Sequence, residues 1–286
     1  MSNLVEETRN IMKKYGIRAN KDLGQNFLIN NEVVENIVNS SEISQDDMVI
    51  EIGPGLGTLT KYLLEKAGKV LCIELDRKMI EILEDRFEKY SNFEIINDDV
   101  LKVDLNKIIK ENKENEKIKN VKIVANLPYY ITTPIIMKLL EEKLDIESIT
   151  VMIQKEVADR LIEVPSGKNT GAITYTIYYY CDSEEIMEVP NSSFIPEPEV
   201  TSEVIKMKIR KEPVVKVENP KVMFMIIKSA FMQRRKTLLN ALTNTQVFIS
   251  KQEGIKILNK LGLNENVRAE NLTIENYADL AKEISK

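Results

Sequence analysis

Five apolar stretches, each followed by a segment of helical character, limit the fold of this chain more than any other feature. The stretches span residues 48–52, 69–76, 93–100, 121–126 and 148–154. From Met79 to Phe87, for example, apolar residues recur at the three- and four-residue spacing of one helix face. Strands that alternate with helices are joined by right-handed crossovers, so the pattern predicts an α/β fold with a doubly wound, mostly parallel sheet.

The pattern changes in the second half of the chain. Residues 172–181 and 203–210 are rich in β-forming residues and predict a final hairpin of the sheet. After Lys211 the remaining segments are helical, at 219–233, 235–244, 251–261 and 273–285. We therefore predict a first domain over 1–211, in which 1–20 form an N-terminal helical extension, and a small helical domain over 212–286.

The composition excludes several kinds of chemistry. The 286 residues include no histidine and two cysteines, Cys72 and Cys181, each in an apolar context. A histidine-based catalytic triad and a histidine-ligated metal are excluded, and no zinc site is expected from two isolated cysteines. No apolar run approaches the roughly 20 residues of a membrane helix. Buried thiols fit a reducing compartment, so we expect a cytoplasmic protein that binds neither metal nor membrane.

Positive charge is concentrated in one segment although the chain as a whole is acidic. The formal net charge is −5, yet residues 206–240 contain ten Lys and Arg and two Glu. Segregated positive charge can bind a polyanion such as RNA. The alternative is a solvated basic surface, and charge alone does not decide between the two.

A glycine-rich turn follows the first strand in "VIEIGPGLGTLT" and contains Gly53, Gly55 and Gly57. Glycines in this place allow positive φ and let the backbone approach a ligand at the helix N-terminus. The dinucleotide pattern needs a further glycine where this chain has Thr58, which disfavours a NAD dehydrogenase. The GxGxG spacing after an acidic residue, Glu51, fits S-adenosylmethionine better, and a purely structural tight turn is the alternative.

Acidic residues end the next two strands. Glu74 follows the glycines at a distance where a carboxylate can accept hydrogen bonds from both hydroxyls of a ribose. Asp98 and Asp99 end the third strand, where one of them could reach the exocyclic amine of an adenine. Ligands bind open α/β sheets at the carboxyl ends of the strands, so one shared cofactor site is predicted. Solvated strand-end carboxylates are the alternative.

The fourth strand runs into Asn126, Leu127, Pro128 and Tyr129. Suppose that the methyl acceptor is the exocyclic amine of a base. The side-chain carbonyl of Asn126 and the backbone carbonyl of Leu127 could then accept hydrogen bonds from its two N–H groups. They would also favour the positive charge that develops on the nitrogen. Pro128 would fix the backbone, and Tyr129 would stack on the extruded base. A structural proline turn with core tyrosines is the alternative.

Together these segments resemble the motifs of the ribosomal RNA adenine N6-dimethyltransferases. "NLPYYITTPI" resembles the catalytic motif of that family, and seven further segments follow the family order over residues 21–242. They are "KDLGQNFL", "EIGPGLGTLT", "IELD", "DDVLKVD", "MIQKEVADRL", "FIPEPEVTSEVI" and "FMQRRKTLLNAL". The resemblance implies a Rossmann-like, S-adenosylmethionine-dependent methyltransferase domain and a small, all-helical C-terminal domain that binds RNA.

The resemblance also implies a role for each matching residue. The implied cofactor-binding residues are Gln25, Asn26, Leu28, Gly53, Gly55, Glu74, Leu75, Asp99, Val100 and Asn126. The implied catalytic residues are Asn126, Leu127, Pro128, Tyr129 and Phe194, with Phe194 as the second face of a sandwich around the base. Arg234, Arg235 and Lys236 are the implied RNA-binding residues. Where the family often has an aspartate, this chain has Thr201, and no functional consequence is expected.

The implied activity is dimethylation of N6 on two adjacent adenosines near the 3′ end of small-subunit rRNA. The expected partner is small-subunit rRNA in a pre-ribosomal particle, and the protein is expected to act as a monomer. One alternative is the related class that methylates large-subunit rRNA and confers macrolide resistance, but that class tends to have Asn in place of Tyr130. Another is a non-catalytic nucleic-acid-binding relative, which the intact 126–129 tetrapeptide and Glu74 disfavour.

Overall fold

The computed structural model describes residues 3–20, 23–115, 118–167 and 169–285. Lys21 and Asp22, which begin the "KDLGQNFL" motif, lie outside the described residues. The strands are β1 Phe27–Leu28, β2 Asp47–Ile52, β3 Lys69–Glu74, β4 Phe93–Asn97, β5 Asn120–Asn126, β6 Ser148–Gln154, β7 Cys181–Val189, β8 Phe194–Ile195 and β9 Ser202–Ile209. The helices are α1 Leu4–Lys14, α2 Asn31–Ser40, α3 Thr58–Lys66, α4 Arg77–Phe87, α5 Leu105–Asn115, α6 Thr132–Glu141, α7 Lys155–Ile162, α8 Ala172–Tyr180, α9 Pro220–Met232, α10 Leu238–Asn244, α11 Lys251–Lys260 and α12 Ile274–Ile284.

The central sheet has the strand order β4-β3-β2-β5-β6-β9-β7. The strands β2 to β6 run parallel, and β9 pairs antiparallel with β6. Strand order reverses beside β2, because β3 leads to one edge of the sheet and β5 to the other. The carboxyl ends of β2 and β5 therefore flank the switch point where open α/β sheets bind their ligands. The predicted doubly wound sheet is confirmed.

Apolar residues from both the strands and the crossover helices form the core beside this switch point. Every residue of β2 is buried, as expected for a parallel strand covered on both faces. Val49 of β2 lies in one buried cluster with Ile37, Leu63 and Leu83, which come from α2, α3 and α4. This cluster forms because apolar residues recur at helical spacing in each helix, which gives the helix one apolar face that packs on the sheet.

The prediction of a β-hairpin over 172–181 and 203–210 is wrong in its first half. Residues 172–180 form helix α8, and the strand beside β9 on the side away from β6 is β7, from 181 to 189. Six of the nine residues in α8 are buried, including Tyr175 and Tyr179, which belong to the apolar core of the C-terminal helices. Burial among helices outweighs the β-propensity of a Thr- and Tyr-rich segment.

The chain divides into two compact units. The first comprises Met1–Ala158 and Ser183–Ile209, and the second comprises Asp159–Asp182 and Arg210–Lys286. The sequence pattern predicts residues 159–182 in the first domain, whereas the structure groups them with the second unit because α8 packs on the core of that unit. Within the second unit, the Tyr175 hydroxyl donates to the Leu272 carbonyl at 2.5 Å. Among the described residues, no helix combines the length and apolar character that a membrane span requires.

Candidate active site

A cleft in the first unit opens at the carboxyl ends of β2, β3 and β5. Its volume is about 1060 Å³ when the part that is open to solvent is included. Thirteen of the predicted site residues line it together. They are Gln25, Asn26, Leu28, Gly53, Gly55, Glu74, Leu75, Asp99, Val100, Asn126, Leu127, Pro128 and Tyr129. Their individual roles remain predictions, but the sequence grouped residues that the fold brings to one place.

The glycine turn adopts the conformation for which its glycines are needed. Gly53, Gly55 and Gly57 have φ values of 68°, 57° and 78°. The Gly53 N–H donates to the Ile73 carbonyl at 3.0 Å, which fixes the turn across the end of β3. A Cβ atom at Gly57 would lie 2.6 Å from the Phe87 ring, so a side chain does not fit there. The turn leads directly into α3, whose first N–H groups are available to an acceptor.

Glu74 presents a fixed carboxylate at the end of β3. Its Oε2 accepts from the Gly55 N–H at 3.2 Å, and its Oε1 accepts from the N–H groups of Leu75 and Asp76 at 2.8 and 2.9 Å. Burial raises the pKa of Glu74, and the three backbone hydrogen bonds oppose that rise. These bonds use three of the roughly four lone-pair sites of the carboxylate, and the site that remains for a ligand hydroxyl is on Oε2.

Glu51 also lines the cleft and is almost completely buried. The Thr60 hydroxyl donates to its Oε2 at 2.6 Å, and the Cys72 thiol lies 3.6 Å from the same oxygen. Burial raises the pKa of Glu51 to about 8; the hydrogen bonds from Thr60 and Cys72 oppose the rise, and the charge of Glu74 adds to it. The Glu51 carboxyl is therefore largely protonated at neutral pH.

The 23–28 segment forms another wall of the cleft and is fastened to two parts of the fold. The Gln25 side chain donates to Asp76 Oδ2 at 3.0 Å and accepts from the Asn20 N–H at 2.9 Å. Leu28 pairs with Phe194 in the short antiparallel ladder of β1 and β8. These attachments hold the predicted cofactor-binding residues of this segment beside the end of β3.

The end of β4 supplies a polar group beside apolar surface. Asp99 accepts from the Leu101 N–H at 3.0 Å and thereby shapes the loop after the strand. The Asn97 amide donates to the carbonyls of Glu74 and Leu75 at 3.0 and 3.3 Å, which aligns the ends of β3 and β4. Leu75 and buried Val100, the neighbour of Asp99 in the chain, also line the cleft. A carboxylate beside two aliphatic side chains suits a flat heterocycle that carries an amine.

Asn126 and Leu127 are held by separate segments of the first unit. The Asn126 side-chain nitrogen donates to the Asn26 carbonyl at 3.3 Å, and the Leu127 N–H donates to the Met152 carbonyl at 3.1 Å. Because the amide nitrogen of Asn126 is bound to the backbone, its carbonyl oxygen is left as an acceptor for a ligand. Sequence reasoning expected this acceptor, but it did not find the Asn26 carbonyl that orients it.

Tyr129 is anchored at its far end. Its hydroxyl shares a 2.5 Å hydrogen bond with the Oγ of Ser202, a buried residue at the start of β9. The Pro128 carbonyl accepts from the Ile131 N–H at 3.2 Å and from the Thr132 hydroxyl at 3.1 Å, so the backbone is also fixed. Burial raises the pKa of Tyr129, which keeps the phenol neutral. The ring, and not the hydroxyl, is therefore offered to a ligand.

Two predicted groups are not among the residues that line the cleft. Phe194 is 1% exposed and packs in the core cluster that includes Leu28. Arg234, Arg235 and Lys236 are exposed in the loop between α9 and α10 of the second unit. The sandwich role of Phe194 and the RNA-binding role of the three basic residues stay predictions.

Sequence reasoning missed the residues that support the site from behind. Ser202 lies within "FIPEPEVTSEVI" and Asp76 closes "IELD", so both stood in motifs that had been singled out. Their partners, Tyr129 and Gln25, are 73 and 51 positions away in the chain. A spacing pattern carries no information about such distant pairs, so the sequence contains no signal that links them.

The sheet, its switch-point cleft and the groups that line the cleft define a Rossmann-like methyltransferase. The sequence model of the ribosomal RNA adenine dimethylase family matches residues 16–286. The chain belongs to this family. The predictions of the fold and of an rRNA adenine dimethyltransferase are thereby confirmed, and the dehydrogenase alternative is not retained.

Two relatives match nearly end to end, and both are named ribosomal RNA small subunit methyltransferase A. The protein from Alkaliphilus metalliredigens is 50% identical, over 98% of this chain and 96% of its own length. The protein from Clostridium acetobutylicum is 48% identical, over 97% of this chain and 98% of its own length. The similarity to these relatives therefore covers the second unit as well as the first.

Solved structures share the fold. A dimethyladenosine transferase from Plasmodium falciparum has a TM-score of 0.73 at 25% identity, covering 91% of this chain and 97% of its own. The 23S rRNA methyltransferase ErmE has a TM-score of 0.66 at 21% identity, covering 91% of this chain and 100% of its own. The second likeness concerns the fold alone.

Proposed function

We propose that this protein transfers methyl groups from S-adenosylmethionine to N6 of two adjacent adenosines in a loop near the 3′ end of small-subunit (16S) rRNA. The product is N6,N6-dimethyladenosine, and the reaction serves small-subunit biogenesis. The observation that carries the proposal is the orientation of Asn126, whose amide nitrogen is bound to the Asn26 carbonyl. Its carbonyl oxygen is thereby left as an acceptor at the end of β5. The names of the near full-length relatives support the choice of the small subunit.

The donors and acceptors of the cleft fit S-adenosylmethionine. Glu74, with acceptor capacity left on Oε2, would hold the ribose through its hydroxyls. Asp99 would accept from the adenine amine, with Leu75 and Val100 against the ring, and the backbone at Gly53 would contact the methionine moiety. When bound, the cofactor supplies an electrophilic methyl group on a sulfonium.

Asn126 and Leu127 then prepare the acceptor nitrogen. The lone pair of an adenine N6 is delocalised into the ring, which makes the nitrogen a poor nucleophile. The side-chain carbonyl of Asn126 and the backbone carbonyl of Leu127 accept hydrogen bonds from the two N–H groups of N6. These bonds draw the nitrogen toward tetrahedral geometry. The same carbonyls favour the positive charge that develops on nitrogen in the transition state. The aminium loses its proton to water, so no histidine is needed.

Tyr129 and Phe194 position the base. The Tyr129 ring lines the cleft with its hydroxyl bound to Ser202, so the ring is fixed before the base arrives. Phe194 would contact the opposite face of the extruded base once its ring, which is 1% exposed in the core, turns toward the cleft. The exposed 234–236 loop would bind phosphates of a structured pre-ribosomal particle, which the protein would meet as a monomer.

Mass-mapping of methylated adenosines tests the proposal. The protein is incubated with undermethylated small subunits and labelled S-adenosylmethionine, beside an Asn126→Ala variant as the inactive control. We expect two adjacent N6,N6-dimethyladenosines near the 3′ end of the small-subunit rRNA and no label with the variant. Label on large subunits, or on a different atom of adenosine, would overturn the assignment.

A further inference from the structure

Tyr130 is an exposed aromatic ring at the cleft, and this exposure is exceptional in the chain. All seven Phe and ten Tyr residues lie in the described part, and Tyr130 alone among them is exposed, at 55%. The residue lines the same cleft as Tyr129. Tyr130 belongs to the "NLPYYITTPI" motif, but the catalytic tetrapeptide 126–129 and the mechanism above give it no role.

The two neighbouring tyrosines are directed to different environments. Tyr129 is partly buried and bound to Ser202, whereas Tyr130 has no comparable burial. Both stand in the 3₁₀ turn Tyr129–Ile131, in which successive side chains point about 120° apart. The turn therefore presents one ring to the target base and the other to whatever lies beside that base.

The Tyr130 ring lies so close to Gly24 that a Cβ atom there would be 3.3 Å from the ring. Gly24 has φ of 60°, a conformation that glycine adopts without strain. The backbone hydrogen bond from Ile131 to Pro128 fixes the turn that carries the ring. A preformed exposed ring loses little conformational entropy when it binds a partner.

We infer that Tyr130 is a stacking platform for the RNA base next to the target base. The inference rests on the proposed function, because it needs an extruded base at Tyr129. Extrusion of one base leaves its neighbour without a stacking partner on one face. An aromatic ring beside the extrusion site replaces that partner, and such stacking tolerates any base because every base has a π-face. The ligand class is therefore a single-stranded nucleotide adjacent to the target adenosine.

The test compares RNA binding with cofactor binding in two variants of Tyr130. Tyr130→Leu removes the ring, Tyr130→Phe keeps it, and Ile249→Ala, at a residue 90% exposed in the second unit, is a matched loss of exposed apolar surface. Binding is measured with a synthetic hairpin that carries the target loop, in an Asn126→Ala background that prevents turnover. We expect Tyr130→Leu to weaken hairpin binding about 5- to 100-fold. Tyr130→Phe and Ile249→Ala should stay within about twofold of the parent, and S-adenosylmethionine affinity should not change in any of them.

An abasic nucleotide beside the target adenosine makes the test specific. If Tyr130 stacks on that base, the abasic hairpin binds the parent weakly, and Tyr130→Leu causes no further loss. Equal losses of cofactor and hairpin affinity would instead make Tyr130 a clamp on the 23–28 segment. An undiminished effect of Tyr130→Leu on the abasic hairpin would also overturn the inference. Failure of the proposed function would appear separately, as absent methylation of small subunits by the wild-type protein.

Discussion

Replacement of Glu51 by Gln tests whether the cleft holds a protonated carboxyl. Gln keeps the size of the side chain and an oxygen that can accept the 2.6 Å hydrogen bond from Thr60. It removes the ionisable group whose pKa burial raises from 4.5 to about 8. In the unfolded chain Glu51 loses its proton near pH 4.5, whereas in the folded protein it keeps the proton until about pH 8. Unfolding therefore releases a proton between these two values.

The sign and the size of the effect follow from proton linkage. Each pH unit in this window lowers the free energy of unfolding of the wild-type protein by about 1.4 kcal/mol relative to the Gln variant. From pH 5 to pH 8 the variant should gain about 3 to 4 kcal/mol over the wild type, and above the folded pKa the gain should level off.

Urea unfolding followed by far-UV circular dichroism at pH 5, 6, 7 and 8 and fixed ionic strength measures this difference. Glu81→Gln, on the exposed side of α4, is the matched control and should show a nearly flat difference across the same range. A flat difference for Glu51→Gln would mean that the folded protein carries an ionised Glu51, and the reasoning from burial would be refuted.

Four further perturbations separate the parts of the site. Glu74→Ala should weaken S-adenosylmethionine binding by roughly 1.5–3 kcal/mol in calorimetry, and unchanged affinity would remove Glu74 from the cofactor site. Asn126→Ala should lower methyl transfer about 10²- to 10³-fold with RNA binding intact; turnover above about a tenth of wild type would contradict the carbonyl mechanism. Ser202→Ala should reduce kcat on small subunits in the wild-type background but cause no further loss in a Tyr129→Phe background. Additive losses would mean that Ser202 does not act through the Tyr129 hydroxyl. Gln at all three basic positions of the 234–236 loop should weaken RNA binding. The slope of log K against log salt concentration should become shallower by roughly 0.7–0.9 per lost contact, whereas an unchanged slope would mean that the loop is only a solvated surface.

The parallel sheet could be predicted because its signals are local. Each strand from β2 to β6 is a short apolar run. In each helix from α2 to α7, the spacing of apolar residues within about ten positions indicates which face is buried. The glycine turn, Glu74 and the 126–129 tetrapeptide then follow from their place at strand ends, since strands of a parallel sheet end at one edge. These are the residues that the structure gathers in the cleft.

Helix α8 could not be predicted in this way, because its local signals point to a strand. Every residue of "AITYTIYYY" after Ala172 is β-branched or aromatic, and burial on most sides leaves no polar face to show a helical period. The helix start is set by Thr174, whose side chain accepts from the Gly171 N–H at 3.0 Å and donates to the Arg160 carbonyl at 2.9 Å. A glycine before the segment and a threonine three residues later were the available signs of a helix start.

The residues that anchor Tyr129 and Gln25 could not be predicted either, for a different reason. The bonds from Tyr129 to Ser202 and from Gln25 to Asp76 join segments far apart in the chain. The residues around Tyr129 do not reveal that its hydroxyl bonds to Ser202, and those around Gln25 do not reveal Asp76. A motif can therefore be recognised from the sequence although the residues that anchor it cannot. Phe194 shows the converse case, since its motif was recognised but its ring is packed in the core with 1% exposure.

The hydrogen bond between Asn126 and the Asn26 carbonyl has a consequence for shortened versions of this chain. The two residues are 100 positions apart, so the group that aims the acceptor lies in a part of the sequence remote from the acceptor itself. A variant that lost the segment around Asn26 would still contain the whole "NLPY" tetrapeptide and the strand that precedes it. Its amide would be free to rotate, and the oxygen would face the substrate for a fraction of the time. An intact tetrapeptide in a fragment or a divergent gene product is therefore weak support for activity unless the residue that steers it is present too.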